Sequence, residues 1–324
     1  AGTVHARRRI DRRAAKDDLA VKSIAALTIA LGWLTLDGAR DRQPIFKSGV
    51  EMVRVDALVV REEKPVTDLN TDDFEVFDNG VRQAIDHVLS SEDPIDVMLT
   101  LDTSASLDKA ELKHLADAVR SAIADLRPGD RAGLITFSEE LSQLLPLTGR
   151  LDLLPASLNR LESSGATTLV DAAYAALLTT RAKGRRSLAL LFTDGLDTWS
   201  WLEPAWVLAV AKRSETVVYT VELREAVAPF VRIPGVRGRI DPREYYRAAT
   251  RFLDDITEAT GGRRLDAGDF DRLLATLRTV IGEFRQRFVI AYVPQGVAQD
   301  GWHSLDVRVK RRGVTVRARP GYSR

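Results

Sequence analysis

In the stretch Asp102-Thr103-Ser104-Ala105-Ser106, one carboxylate and two hydroxyls recur at every second position. The residues before it, Asp96 to Leu101, are mostly apolar and read as a buried strand that runs into a turn. A turn at the carboxyl end of a strand is where open α/β sheets place their ligands. Asp102, Ser104 and Ser106 would there present three hard oxygen donors at one point, which suits a hard divalent cation such as Mg²⁺. Such an ion needs further oxygen ligands from neighbouring loops. Two candidates stand in the sequence: Thr167, in Gly165-Ala166-Thr167-Thr168 ahead of a helical pattern, and Asp194, in Thr193-Asp194-Gly195 at the end of an apolar run. Taken singly, each of these residues is equally explained as a helix cap or turn residue; the set of five is what points to a metal.

The composition narrows the alternatives. A chain of 324 residues has room for one large or two modest domains, and its net charge of +1 gives no global argument for nucleic acid. The absence of cysteine removes disulfides, thiolate metal sites and cysteine nucleophiles, and the four histidines have no zinc-type spacing. Ser106-Leu107-Asp108-Lys109 spells Ser-x-x-Lys, but the Ser-Asp-Asn and Lys-Thr-Gly partners of that nucleophile motif are missing. No Gly-x-Ser-x-Gly elbow, Walker loop or Gly-x-Gly-x-x-Gly occurs, and Ser104 stands where a phosphatase built on Asp102 would want a second carboxylate. Binding is therefore expected over catalysis. A magnesium-dependent hydrolase, or a scaffold with an unused metal site, is the alternative.

The elements that must position these groups fall into three blocks. Residues 1–22 form a basic lead-in, with a translation start near Val21 as one explanation of its length. The apolar run 23–36 makes 23–39 a signal-like or anchor segment, so an exported protein (periplasmic, envelope or secreted) is expected, with 23–36 as a possible membrane anchor. A β segment over 48–93 has period-2 alternation at Val53, Val55, Ala57 and Val59, a turn at Lys64–Thr67, and a hairpin around Asp78-Asn79-Gly80. From 94 to 284 strands and helices alternate: helices over 109–126, 151–162, 168–183, 203–213 and 248–260, with strands at 95–101, 132–137, 187–193 and 216–221 and an edge strand at 141–147. Such alternation implies a mostly parallel sheet with helices on both faces. An insertion rich in proline and arginine spans 224–247. Period-2 strands return over 285–324. The expected fold is α/β, a Rossmann-like, doubly wound, mostly parallel sheet inserted in a small β-sandwich formed by the flanking segments.

Asp-x-Ser-x-Ser at 102–106, Thr167 in its Gly-x-Thr context and Asp194 in Thr-Asp-Gly resemble the metal-ion-dependent adhesion site (MIDAS) of von Willebrand factor type A (VWFA) domains. The flanks Asp72-Asp73-Phe74-Glu75-Val76-x-Asp78-x-Gly80, Thr260-Gly261-Gly262-Arg263 and Arg317-x-Arg319-Pro320-Gly321-Tyr322 resemble a bacterial exported family that wraps such a domain in β segments. The resemblance implies that Ser104 and Ser106 coordinate Mg²⁺ or Mn²⁺ directly, that Asp102 and Asp194 act mostly through water, and that Thr167 binds in the ligand-engaged state. It further implies a protein partner that offers an Asp or Glu carboxylate to the ion. Beside this rim, Trp199, Trp201 and the arginines of the insertion, among them Arg232, Arg237 and Arg239, are candidate contacts for an acidic partner surface.

Overall fold

The computed structural model describes residues 52–90, 93–180, 184–194, 196–223 and 242–324. The segments 1–22 and 23–39 and the arginines Arg232, Arg237 and Arg239 lie outside the described residues. Gly49–Arg324 forms one compact unit.

The first strands are β1 (Val53–Arg61), β2 (Lys64–Pro65), β3 (Phe74–Asp78), β4 (Val81–Gln83) and β5 (Ile85–Ser90). Next come β6 (Ile95–Asp102), α1 (Lys109–Ile123), β7 (Arg131–Phe137), β8 (Leu141–Thr148), α2 (Leu154–Leu158), α3 (Leu169–Thr179), β9 (Arg186–Thr193), α4 (Pro204–Ala211) and β10 (Val217–Glu222). Then follow α5 (Pro242–Thr260), β11 (Arg264–Asp266) and α6 (Phe270–Arg285), and the chain closes with β12 (Phe288–Tyr292), β13 (Trp302–Val309), β14 (Thr315–Arg317) and β15 (Gly321–Ser323).

Six of these strands form the central sheet, in the order β11-β10-β9-β6-β7-β8. All neighbours are parallel except β8, which returns antiparallel along β7 at the edge. β6 lies between β7 and β9 and is buried along its whole length. Its odd-numbered residues Ile95, Val97, Leu99 and Leu101 join the core shared with α1 and α6, and Met98 joins the opposite core, shared with α3, α4 and α5. A strand covered on both faces must be apolar nearly throughout, which is why this segment reads as a continuous run.

The remaining strands form two antiparallel sheets, β14-β1-β12-β5 and β15-β13-β3-β4, with β2 beside β1. They close on a core that includes Val55, Phe74, Val76, Phe288, Ile290 and Tyr292. β1 pairs with β12 and β14, and β3 with β13, so the flanking segments do interleave in a sandwich around an inserted α/β domain. In its interior Asp78 accepts hydrogen bonds from the hydroxyls of Tyr292 and Tyr322, at 2.9 and 2.7 Å, and its other oxygen lies 2.8 Å from Nδ1 of the buried His303. Burial and its hydrogen bond to Asp78 push the Tyr322 phenol up to about 12.

Buried arginines tie the sandwich to the sheet. The Arg186 guanidinium donates to Asp56 on β1 and to the Phe284 carbonyl, and it stacks over the Phe284 ring. Arg287 donates to the Tyr219 hydroxyl at 3.0 Å and to the carbonyls of Asp56, Gly261 and Arg317. Gly262 lets the chain pass this point: a Cβ there would meet the Val218 carbonyl oxygen at 1.8 Å.

Three local expectations are corrected. The turn expected at Lys64–Thr67 lies earlier, at Glu62 and Glu63, both with positive φ (49° and 60°), and Lys64–Pro65 is a strand paired with β1. Glu63 is held there by Arg263 and Arg317, which keep its carboxyl below the usual range. The helix expected from 248 begins at Pro242, because proline is accepted in a first helical turn. The helix expected over 151–162 is a 3₁₀ turn plus the short α2. The hairpin turn is as expected, with φ of 47° at Asn79 and 78° at Gly80.

Arg287→Leu keeps most of the volume but leaves four acceptors without their donor. It is expected to lower unfolding stability by about 3–5 kcal/mol, read as a shifted urea midpoint. Arg82→Ala removes an exposed ion pair to Glu75 and is expected to move the midpoint by less than about 1 kcal/mol.

Candidate metal centre

The parallel register sets Leu101 of β6 against Phe192 of β9, so Asp102 and Thr193 end neighbouring strands. The Thr193 hydroxyl donates to Asp102 Oδ2 at 2.9 Å, and the Ser104 amide donates to Asp102 Oδ1 at 2.9 Å. This closes the turn and brings Ser104 and Ser106 to one side, with their hydroxyl oxygens 2.9 Å apart. The Asp194 carboxylate accepts the Leu196 amide at 3.0 Å and is further eased by the nearby Ser106 hydroxyl.

Thr167 is carried by a loop that is bonded to both others. Ala105 donates to the Gly165 carbonyl and Ser164 to the Thr103 carbonyl, and the Ser163 hydroxyl donates to the carbonyls of Ser104 and Leu107. On its other side the Thr167 carbonyl accepts the amides of Thr198 and Trp199. The loops that bear Asp102, Ser104, Ser106, Thr167 and Asp194 therefore meet on one rim. Asp102, Ser104 and Thr167 are buried, Asp194 is half-buried and Ser106 is exposed, so the cluster faces solvent on the Ser106 side.

These residues are not the helix caps. The N-cap of α1 is Asp108, which accepts from the amides of Ala110 and Glu111 in a capping box. The N-cap residue of α3 is Thr168, whose hydroxyl donates instead to the Ser138 carbonyl. The cluster's carboxylates and hydroxyls are thus left for other work.

Its electrostatics are unfavourable to two free carboxylates. Burial and the neighbouring Asp194 push Asp102 up to about 7, against the opposing hydrogen bonds from Ser104 and Thr193. Burial also raises Asp194. Among the described residues, the groups that shift Asp102 are Asp194, Ser104 and Thr193, and none of them is a cation. The donor set consists of two carboxylates and three hydroxyls with no nitrogen or sulfur, and this chemistry fits Mg²⁺ or Mn²⁺.

Sequence reasoning missed Thr193, Ser163 and Thr198. Thr193 stood in the Thr-Asp-Gly already singled out, and strand adjacency was the missing fact. It also missed Trp206. Trp199, Trp201 and Trp206 are 46, 87 and 70% exposed, and they stand on the loop before α4 and on α4 itself. The signal for Trp206 was present, because Pro-Ala-Trp-Val-Leu-Ala-Val-Ala is apolar on every side although the helix covers only one face of a sheet.

Residues 97–196 match the family model described as the von Willebrand factor type A domain. A von Willebrand factor type A protein from Catenulispora acidiphila is similar at 14% identity, over 78% of this chain and 73% of that one, with a TM-score of 0.50. An aerotolerance-related membrane protein from Bacteroides fragilis aligns at 18% identity over 59% of this chain and 98% of its own, with a TM-score of 0.44. The PilB minor pilin from Streptococcus sanguinis aligns at 14% identity over 61% and 63%, with a TM-score of 0.47. No curated protein matches the sequence significantly.

The raised Asp102 carries a pH dependence. Its folded form holds a proton to a higher pH than the unfolded chain does, so its contribution to stability falls as pH rises from about 4 toward 7. In EDTA, wild type is expected to lose about 2–4 kcal/mol more than Asp102→Asn over this range. Urea unfolding at a series of pH values reads the difference, and parallel curves would contradict the account.

Proposed function

We propose that the chain is a divalent-metal-dependent protein-binding module of the adhesion type, which captures an acidic residue of a partner. The supporting observation is the buried Asp102, placed beside Asp194 and hydrogen-bonded to the Ser104 amide and the Thr193 hydroxyl. Two carboxylates so placed repel each other, and a divalent cation relieves that repulsion. Ser104, Ser106 and Thr167 would hold the ion through neutral oxygens, and Asp102 and Asp194 would supply the negative charge. When bound, Mg²⁺ or Mn²⁺ supplies an electrophilic position that accepts a carboxylate from Asp or Glu.

The type A domain supports an interaction module as the broad class. The chain's own residues support the finer reading. Ser106 is exposed and so stands at the side from which a partner would approach. Trp199, joined through its amide to the Thr167 carbonyl, is the nearest large aromatic offered to the partner. The acidic-surface reading of Arg232, Arg237 and Arg239 remains a proposal from sequence, as does export through the segment 23–39. No helix among the described residues is long and apolar enough to cross a membrane.

Calorimetric titration with Mg²⁺ and with Mn²⁺ tests the metal. Wild type is expected to bind one ion and, at a hundredfold excess over Kd, to gain about 2.7 kcal/mol of stability. Asp102→Ala and Ser104→Ala are expected to lose both the heat and the gain. A wild type with no metal-dependent heat or melting shift would sink the proposal. Turnover of model esters or phosphates that disappears in Asp102→Ala would favour the hydrolase instead.

A further inference from the structure

α4 runs from the metal rim down to the sandwich, and most of its outer surface is uncovered. Only Val207 and Ala211 are buried, whereas Ala205, Trp206 and Ala209 are exposed. Above its first turn stand Trp201 and Leu202, whose amides are pinned by the Asp171 carboxylate at 3.0 and 2.9 Å. Arg213 follows the carboxyl end of α4 and is exposed. At the lower end Lys212 Nζ lies 5.2 Å from the centre of the Trp302 ring, which is itself 43% exposed. Exposed tryptophans thus stand before α4, on it and beyond its end, with Lys212 and Arg213 at its carboxyl terminus.

Beside that terminus lies a cavity of about 260 Å³. It is lined by Arg54, Arg213, Arg319 and Arg324 against a single acid, Glu215. Arg319 donates to the Ser214 carbonyl through one guanidinium nitrogen, while its buried Nε has no hydrogen-bond partner among the described residues. Met52, 42% exposed, lines the same cavity.

We propose that this face is a docking surface for an anionic lipid bilayer, with the arginine cavity taking a phosphate headgroup and Trp201, Leu202 and Trp206 entering the interface. Three observations favour a bilayer over a protein. Trp201 and Trp206 project singly and so need no shape-complementary partner, whereas tryptophan side chains settle readily at a membrane boundary. Arginines beside an apolar face match the negative charge of an anionic leaflet. Met52, itself exposed, adds an apolar side chain to the lining of the arginine cavity. The metal rim stands at the upper end of the face and would stay open to a partner. The proposal does not depend on the metal reading.

The absence of cysteine allows a clean test in the full chain. Ala209→Cys on this face and Lys113→Cys on α1, which packs on the other side of the sheet, are each labelled with an environment-sensitive fluorophore. Both are mixed, in EDTA, with vesicles of phosphatidylcholine alone or with phosphatidylglycerol. The expected result is a blue shift at 209 but not at 113, only with phosphatidylglycerol. Inorganic phosphate at equal phosphorus is expected to leave the 209 label unchanged. Arg54→Glu with Arg213→Glu, and separately Trp201→Ala with Trp206→Ala, should each weaken the response at least tenfold while melting at the wild-type temperature. Equal shifts at both positions would mean that the chain is only tethered, and would overturn the proposal. So would silence at 209 with phosphatidylglycerol, or a shift at 209 that appears only when a protein partner is added.

Discussion

Parallel pairing of β6 with β9 is the constraint from which the site follows. Parallel neighbours end at the same rim, and here the register brings Asp102 and Thr193 to adjacent strand ends. Asp194 follows directly, so two carboxylates meet in a place where burial deprives both of water. Hydrogen bonds from Ser104, Thr193 and the Leu196 amide, with the nearby Ser106 hydroxyl, ease this charge without cancelling it. Desolvation outweighs them, as the raised pKa of Asp102 records. A fold that keeps such a pair carries a standing electrostatic cost, and cation binding is the chemistry that offsets it most directly.

That rim stays in place because the opposite end of the sheet is anchored. Arg186 begins β9 and reaches Asp56 of the sandwich, while Arg287 gathers carbonyls from β1, from the end of α5 and from β14. Both guanidiniums are buried and make several hydrogen bonds each, which offsets most of the cost of burying them, although Arg186 Nη1 and Arg287 Nε find no acceptor among the described residues. The sandwich strands flank the α/β domain in sequence, so these contacts also close a long loop in the chain. A polar junction of this kind demands one relative placement of the strands, because a slip of one residue would exchange carbonyls for side chains.

The continuous burial of β6 and β9, the amphipathic face of α1 and the Asn-Gly hairpin are local properties of the sequence, and they were legible there. So was the grouping of Asp102, Ser104 and Ser106, since alternation alone puts them together. Bringing Thr167 and Asp194 to the same rim needed strand adjacency, which only the resemblance to type A domains supplied. Other features gave no local signal. β11 and β15, three residues each, exist because neighbouring edges were free to pair with them. The Glu62–Glu63 turn runs against residue preference, and its support comes from Arg263 and Arg317, about two hundred and more positions away. Arg186 and Arg287 read as ordinary surface arginines until the sandwich closes over them.

The loop from Thr198 to Leu202 joins the two surfaces of the domain. Its first amides are held by the Thr167 carbonyl and its last by the Asp171 carboxylate, one turn into α3. The Thr198 hydroxyl also accepts the Thr167 amide at 2.9 Å, so Thr167 is fastened to this loop through both of its backbone polar groups. Thr167 therefore cannot move toward the Ser104–Ser106 turn alone. Either these bonds break, at a cost of about 1 kcal/mol each, or Trp199 and its neighbours move with it. The rim of Asp102, Ser104, Thr167 and Asp194 and the loop that carries Trp199 and Trp201 are mechanically one element.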